Sequence, residues 1–238
     1  MDQGFLSDSE LYYSTSISDN KIILEDSEAS HAGRVMRHSI GDRLFVTDGK
    51  GSIYEAEIST VSKRSIELQI LSTRTYKNRL NNVKICIPRI KVQDRLEFAI
   101  EKVVELGFTN ILIYESERAI GKKDKTDRWE KIGIAAMKQS LRSYLPKISY
   151  SKNIFDDTEK AATLFFDQNA ERNIKDFLQN KRKEDDVNYR MIIGPEGGFT
   201  EREYRLSEKY IKLKLSNYRL RSETAVVTAA SIISQELL

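Results

Sequence analysis

Cysteine and histidine are scarce in this sequence of 238 residues, which has one cysteine and two histidines. The lone Cys86 lies in the apolar run VKICI, which indicates a buried thiol in a reducing compartment. One cysteine and two histidines cannot supply the ligands of a usual zinc site. We therefore expect a protein without a bound metal.

Long hydrophobic runs are absent as well. No stretch approaches the length of a membrane span, and the first thirty residues lack the apolar core of a signal peptide. These two absences predict a cytoplasmic protein with no membrane partner.

Net charge is also small, at +3, with a pI near 8.7. The first 80 residues hold ten Lys/Arg and twelve Asp/Glu, whereas the remaining residues hold 29 and 24. The composition permits nucleic-acid binding without demanding it. Any RNA-binding surface must therefore come from local clustering of basic residues.

The first part of the chain has the rhythm of a small β-barrel. Residues 1–10 are predicted to be an extension, and short β-rich runs follow: LYYST, KIIL, RLFVT, SIYEAEIST and SIELQIL. The segment SEASHAGRVMRHSIGD predicts one short helix that carries His31, Arg34, Arg37 and His38. The polar and basic stretch at 72–82 is predicted to be a linker.

After residue 82 strands alternate with helices. The predicted strands are VKICIPRI, NILIYES, TLFFD, YRMIIG and IKLKL. Helices are predicted in QDRLEFAIEKVVELG and in DRWEKIGIAAMKQSLRS, the second capped by Asp127 and ended before Pro146, and the chain closes with an apolar helix. This alternation predicts an α/β domain with a mostly parallel sheet.

The stretch GPEGGFTEREY at 194–204 places Gly194, Gly197 and Gly198 between a strand and a helix. Thr200 and Glu203 have the spacing of a capping box that opens the helix. Because glycine has no side chain, a ligand can approach the free backbone N–H groups at the start of the helix. A tight turn that binds no ligand would have the same sequence pattern. No GK[ST] follows, and Pro195 interrupts any dinucleotide fingerprint.

A second strand–turn–helix segment, LSNYRLRSETAVVTAA at 215–230, follows about twenty residues later. Arg219 and Arg221 flank its turn. If both turns lie at one sheet edge they face one crevice, and two arginines there favour an anion or nucleotide site. Solvated or ion-paired arginines are the alternative.

These motifs together resemble the RsmE family, ribosomal RNA small-subunit methyltransferases of the SPOUT class. The family's H-x-x-R-V-L-R is matched at 31–37, its helix K…E…K-x-x-E-L-G at 91–107, and its S-E-R at 116–118. Its Q-x-x-R is matched by Gln139 and Arg142, and the GPEGG and LRSETA turns complete the pattern. The chain departs from the usual L-G-x-R-I-L-R, because Ser216 replaces the Gly and Tyr218 replaces the Arg.

The resemblance implies an N-terminal PUA-like β-barrel at 1–73 and a SPOUT α/β domain at 74–238 that ends in a trefoil knot. S-adenosylmethionine is the implied cofactor, and the implied partners are 16S rRNA or the small ribosomal subunit and a second copy in a homodimer. The residues carried over for the cofactor are Gly194, Pro195, Glu196, Gly197, Gly198, Leu215, Leu220, Thr224 and Ala225. Those carried over for RNA are His31, Arg34, Arg37, Arg118 and Arg142.

The implied reaction is methylation of N3 of a uridine in 16S rRNA, without a metal. Loss of the N3 proton spreads negative charge onto O2 and O4, and Arg221 is the candidate that stabilises this charge. Arg221 only donates hydrogen bonds, so it cannot be the base. Glu223 is a candidate base or an orienter of Arg221, or else a carboxylate that only satisfies the helix dipole. Glu196 either bonds the cofactor or braces its turn.

Two alternatives stay open on the sequence. One is a different SPOUT enzyme that methylates another nucleotide in rRNA or tRNA. The other is a non-catalytic RNA-binding protein of the same fold. The intact GPEGG and LRSETA turns favour an enzyme.

Overall fold

A computed structural model describes residues 9–118, 125–156, 160–179 and 187–237. The chain divides into two compact units. The first unit runs to Asn78 and also contains Met137–Leu145, and the second comprises Arg79–Ala136 and the chain from Pro146 onward. The predicted domain boundary after residue 73 stays a prediction, and most of the predicted N-terminal extension lies outside the described residues.

The first unit is built on one sheet of six strands within the described residues. Its strands are β1 Leu11–Tyr13, β2 Ser16–Ser18, β3 Lys21–Glu25, β4 Arg43–Thr47, β5 Ser52–Val61 and β6 Ser65–Thr75. Their order is β1-β4-β5-β6-β3-β2, with only β1 and β4 parallel. In β3, Ile22 and Leu24 are buried and their neighbours exposed, the alternation of a strand with one face on a core. No strand was predicted at the position of β2, and β6 includes the first residues of the predicted linker.

The predicted helix between β3 and β4 is shorter than expected. It consists of α1 Asp26–Ser30 and a π-helical turn His31–Val35. Arg37 has a φ of 59°, in the left-handed region, and such a residue ends a helix. The expectation that this helix carries Arg37 and His38 is therefore wrong, because both lie beyond its end.

The second unit has a parallel sheet of six described strands. They are β7 Val83–Pro88, β8 Asn110–Tyr114, β9 Lys147–Ser151, β10 Ala162–Phe166, β11 Tyr189–Ile193 and β12 Ile211–Leu213, in the order β12-β10-β11-β7-β8-β9. All five residues of β11 are buried, as expected for a parallel strand covered on both faces. Cys86 on β7 is buried, as predicted.

The α-helices described after residue 82 are α2 Gln93–Glu105, α3 Thr126–Gln139, α4 Ile174–Gln179, α5 Glu201–Leu206 and α6 Ser222–Leu237. The prediction that Asp127 caps α3 is wrong, because Thr126 already belongs to the helix and Asp127 lies in its first turn. The helix also stops before the predicted end at Ser143, since Leu141 has a φ of 56°. None of the described helices is long and apolar enough to cross a bilayer.

Helix α6 packs against α2 within the second unit. Val226, Ala230 and Ile233 are buried there, and the Ser234 hydroxyl donates to the carbonyl of Leu106 at 2.9 Å. Much of the apolar surface that the sequence assigns to α6 is thus already covered by its own unit.

Candidate functional site

A crevice of about 950 Å³ opens at the carboxyl ends of three neighbouring parallel strands, β10, β11 and β12. It is lined by the segments that follow these strands, at 166–169, 193–199 and most of 215–222. Carboxyl ends of parallel strands share one edge of a sheet, where ligands of open α/β sheets bind. The two predicted turns therefore do face one crevice.

The first turn needs glycine for two different reasons. Gly198 has a φ of +69°, which side-chain-bearing residues rarely adopt, and its N–H donates to the Pro195 carbonyl at 2.9 Å. A Cβ on Gly194 would lie 3.3 Å from the Phe199 ring and 3.4 Å from the carbonyl of Phe166. Bare backbone thus forms this wall of the crevice.

The predicted capping box of α5 is confirmed. The Thr200 hydroxyl accepts from the backbone N–H of Glu203 at 3.2 Å, and the Glu203 carboxylate accepts from the N–H of Thr200 at 2.7 Å. Glu203 is buried and also accepts from the N–H of Glu117 at 3.0 Å. The cap therefore joins the glycine turn to the segment that follows β8.

That segment contains Arg118, which was predicted to contact RNA. Arg118 lines the crevice, and its Nη1 donates to the carbonyl of Gly197 at 2.7 Å. Beside it, the Glu117 carboxylate accepts from the Thr200 hydroxyl at 2.7 Å and pairs with Arg202 at 3.2 Å. Arg118 therefore supports the glycine turn, a role that sequence reasoning missed, while its contact with RNA stays a prediction.

The second turn has an inner apolar part and an exposed rim. Leu215, Leu220 and Ala225 are half-buried and line the crevice. Thr224, which was predicted to bind the cofactor, is exposed and is not among the lining residues. Successive helical residues point about 100° apart, and here it is Ala225 that faces the crevice, so cofactor binding by Thr224 stays a prediction.

Arg95 on α2 is a lining residue that sequence reasoning did not single out. Its guanidinium lies between two carboxylates, 3.6 Å from Glu196 on the glycine turn and 3.6 Å from Glu223 on α6. Glu223 is buried, and its Oε2 makes no hydrogen bond in the described part of the chain. Glu223 therefore contacts Arg95, whereas orienting Arg221 was one of the three roles considered for it, and its role as a base stays a prediction.

This arrangement predicts that Arg95→Ala destabilises the protein by about 1–3 kcal/mol, because it leaves the buried Glu223 carboxylate without its cation. Urea unfolding measures the effect. The double variant Arg95→Ala/Glu223→Gln should recover part of the loss, since an amide carries no charge. Arg205→Ala, which removes an exposed pair with Glu201, is the control and should change little. A single Arg95→Ala variant as stable as wild type would show that the contact does not matter.

Tyr204 is a further ionisable group of the crevice. Burial, followed by a hydrogen bond to Asp167, raises the pKa of Tyr204 to about 12. Its phenol therefore stays protonated near neutral pH and cannot serve as a base there. The described residues contain no cluster of His, Cys, Asp and Glu that could hold a metal ion.

The other residues predicted to contact RNA lie in the first unit. Arg34 is exposed on the π-helical turn and Arg37 is exposed just after it, while the half-buried His31 ring lies 6.0 Å from the ring of Tyr12. Arg142 is half-buried, and burial lowers the pKa of its guanidinium. Their contacts with RNA stay predictions.

Similarity to known proteins covers nearly the whole chain. Residues 77–234 match a family model described as an RNA methyltransferase domain, and residues 24–71 match one described as an RNA methyltransferase PUA domain. Ribosomal RNA small subunit methyltransferase E of Aquifex aeolicus is 31% identical over 237 residues, which cover 94% of this chain and 98% of the relative.

Two solved structures share the fold over similar lengths. A probable rRNA methyltransferase from Porphyromonas gingivalis has a TM-score of 0.83 and 30% identity, with 96% of this chain and 98% of that chain covered. A ribosomal RNA small subunit methyltransferase E from Neisseria gonorrhoeae, bound to S-adenosyl methionine, has a TM-score of 0.82 and 27% identity, with coverage of 95% and 97%.

Proposed function

Because the chain belongs to the ribosomal RNA small subunit methyltransferase E family, we propose that it transfers a methyl group from S-adenosylmethionine to N3 of a uridine in 16S rRNA. The observation that carries the proposal is the convergence of the GPEGG and LRSETA turns on one crevice. The proposed RNA substrate follows from the relatives, which are named ribosomal RNA small subunit methyltransferases. The proposed methyl donor follows from the solved relative that contains bound S-adenosyl methionine.

The lining of the crevice is chemically suited to S-adenosylmethionine. Leu215, Leu220 and Ala225 offer an apolar wall to a flat adenine ring. Within the described residues, the backbone N–H groups of Leu215 and Leu220 make no hydrogen bond, so they are available to a ligand. The carboxylates of Asp167 and Glu196 complement ribose hydroxyls and an ammonium group. When bound, the cofactor supplies an electrophilic methyl group on a sulfonium.

The chain's own contribution to the chemistry centres on the uracil. N3 is a nucleophile only after its proton passes to a base, for which Glu223 is the candidate in this chain, and the negative charge then spreads onto O2 and O4. Arg221 is exposed, lines the crevice and makes no side-chain hydrogen bond or ion pair among the described residues, so its guanidinium is available to these oxygens. Nearby positive charge also lowers the pKa of the N3–H group.

The target base must be unpaired, because N3 lies on its Watson–Crick edge. We propose that His31, Arg34, Arg37 and Arg142 of the first unit, with Arg118 of the second, hold the surrounding RNA. Such a substrate also implies a cytoplasmic protein.

Salt dependence tests the RNA contacts. Phosphate contacts release counterions, so affinity for 16S rRNA is expected to fall steeply with salt, and Arg34→Ala or Arg37→Ala should each flatten the log–log slope by about 0.7–0.9. Lys131→Ala, at an exposed position of the second unit, is the control and should keep the wild-type slope. Filter binding at several salt concentrations gives the slopes. Equal slopes for all variants would remove the two arginines from the RNA surface.

The reaction itself is tested with small subunits and naked 16S rRNA from a strain that lacks the modification. After incubation with S-adenosylmethionine, mass mapping should find one methylated uridine, modified at N3. Methylation of another nucleotide would favour a different SPOUT enzyme. No binding of S-adenosylmethionine in a calorimetric titration would favour a non-catalytic RNA-binding protein.

We also propose that the chain forms a homodimer through helix α6. Val226, Ala230 and Ile233 are already buried within their own unit, so the proposal rests on the family resemblance and on the half-buried Val227 and Ile232. Light scattering at micromolar concentration is expected to give twice the monomer mass, and a monomer mass would contradict it.

A further inference from the structure

Tyr218 is an exposed aromatic residue at the rim of the crevice. It is 81% exposed and is among the lining residues. No contact of its ring with another aromatic ring or a cation, and no hydrogen bond of its hydroxyl, occurs within the described residues. A large ring is thus presented to solvent beside the site where the methyl donor is proposed to bind.

The backbone of Tyr218 is nevertheless held in place. Its N–H donates to the hydroxyl of Ser216 at 3.0 Å. At these two positions the chain departs from the family's L-G-x-R-I-L-R pattern, where Gly and Arg are usual, and Arg219 at the Ile position is a third departure. The two departures are therefore physically connected, because the serine fixes the turn from which the tyrosine projects. A glycine at position 216 has no side chain with which to make this bond.

The surroundings of the ring suit a nucleic acid. Among the described lining residues four are arginines, Arg95, Arg118, Arg219 and Arg221, and two are carboxylates. Arg219 and Arg221 are exposed on the same turn as Tyr218. Unpaired RNA bases are held by stacking on aromatic side chains next to positive charge that contacts the backbone.

We propose that Tyr218 is the platform on which an unpaired base of the substrate RNA stacks at the mouth of the crevice. The inference rests on the proposed function, because only an RNA substrate places a base there. Tyr218 acts as a positioning residue: its ring binds a base by its flat face and does not touch the transferred methyl. In this chain an aromatic ring stands at the position where the family usually has an arginine, and Arg219 next to it keeps a positive charge on the turn.

The test compares Tyr218→Ala with Tyr218→Phe and Tyr218→Trp, with small subunits and a single-stranded uridine-containing oligonucleotide as probes. Loss of one stacked base is expected to weaken RNA binding roughly 5- to 150-fold in the alanine variant. The phenylalanine and tryptophan variants should bind within about threefold of wild type, because they keep a flat ring. Affinity for S-adenosylmethionine should be unchanged in all of them.

Salt dependence separates stacking from charge. Tyr218→Ala should keep the wild-type salt slope, whereas Arg219→Ala, one residue away, should flatten the slope by about 0.7–0.9 if it contacts a phosphate. Wild-type affinity in Tyr218→Ala, or equal losses in the alanine and tryptophan variants, would overturn the inference. So would a loss that accompanies a change in mass by light scattering, which would place the ring against a second copy of the chain.

The same experiment keeps this inference apart from the proposed function. A wild-type protein that methylates the RNA while Tyr218→Ala behaves identically overturns the stacking platform alone. A wild-type protein that neither binds S-adenosylmethionine nor methylates the RNA overturns the proposed function, and the inference falls with it.

Discussion

Replacement of Arg221 with alanine is expected to slow methyl transfer about 10²–10³-fold, with the fold and the affinity for S-adenosylmethionine largely unchanged. The bound uracil is neutral, whereas the transition state of the proposed reaction carries negative charge on O2 and O4, the oxygens that Arg221 is proposed to contact. An interaction made mainly in the transition state affects turnover more than binding. Single-turnover rates at saturating cofactor and RNA measure the effect directly.

Two further variants sharpen this test. Arg221→Lys should recover activity only in part, because an ammonium group cannot reproduce the planar fork of a guanidinium. Arg219→Ala is the matched control, since it removes the neighbouring arginine of the same turn and should leave the saturated rate near that of wild type. A normal rate for Arg221→Ala would remove this residue from the catalytic proposal.

The competing role for Arg221 is to brace the turn through Glu223. That role predicts a lower melting temperature and weaker cofactor binding with a nearly normal saturated rate. The described contacts favour the catalytic role, because Glu223 pairs with Arg95 and the Arg221 side chain has no such partner among the described residues.

Gly198→Val is expected to weaken binding of S-adenosylmethionine at least about a hundredfold. A left-handed backbone conformation is unfavourable for any residue with a Cβ and most unfavourable for a β-branched one, so the turn has to shift. The added side chain also occupies a wall that consists of bare backbone. Isothermal titration calorimetry measures the affinity, and circular dichroism shows whether the fold is retained.

Gly41→Val is the control for backbone strain. Gly41 has a φ of +93° in the first unit, and a Cβ there meets no atom within 4 Å. Valine at this position should therefore lower stability without changing cofactor affinity. Gly197→Ala should weaken cofactor binding less than Gly198→Val. The φ of Gly197 is not positive, and the atoms nearest to an added Cβ belong to the flexible Arg118 side chain. Normal cofactor binding by Gly198→Val would leave the turn with a structural role only.

The sequence by itself determined the features that depend on residues close together in the chain. The capping box of α5 lies within four residues, so its spacing alone was sufficient to predict it. The order of short strands and helices was sufficient to predict a β-rich domain followed by an α/β domain, and the family resemblance implied that these are a PUA-like domain and a methyltransferase domain, which the family matches confirm. The trefoil knot stays a prediction.

Elements with weak local patterns were not predictable. Strand β9 buries only Ile148 among its five residues and so shows no alternation, and α4 is too short for a helical period to appear. The left-handed residue Arg37, which lies beyond the end of the π-helical turn, was equally hidden, because arginine has no preference for that conformation.

Only the tertiary structure decided which distant residues meet at the crevice. Arg95 and Glu223 are far apart in sequence, and packing of α2 against α6 brings them together, so no spacing rule could pair them. The same holds for Arg118 and the carbonyl of Gly197. An arginine's partner is set by where the backbone brings a carboxylate or a carbonyl, whereas a cap or a strand face is set by its immediate neighbours. For this reason the two turns were predictable and the side chains that hold them in place were not.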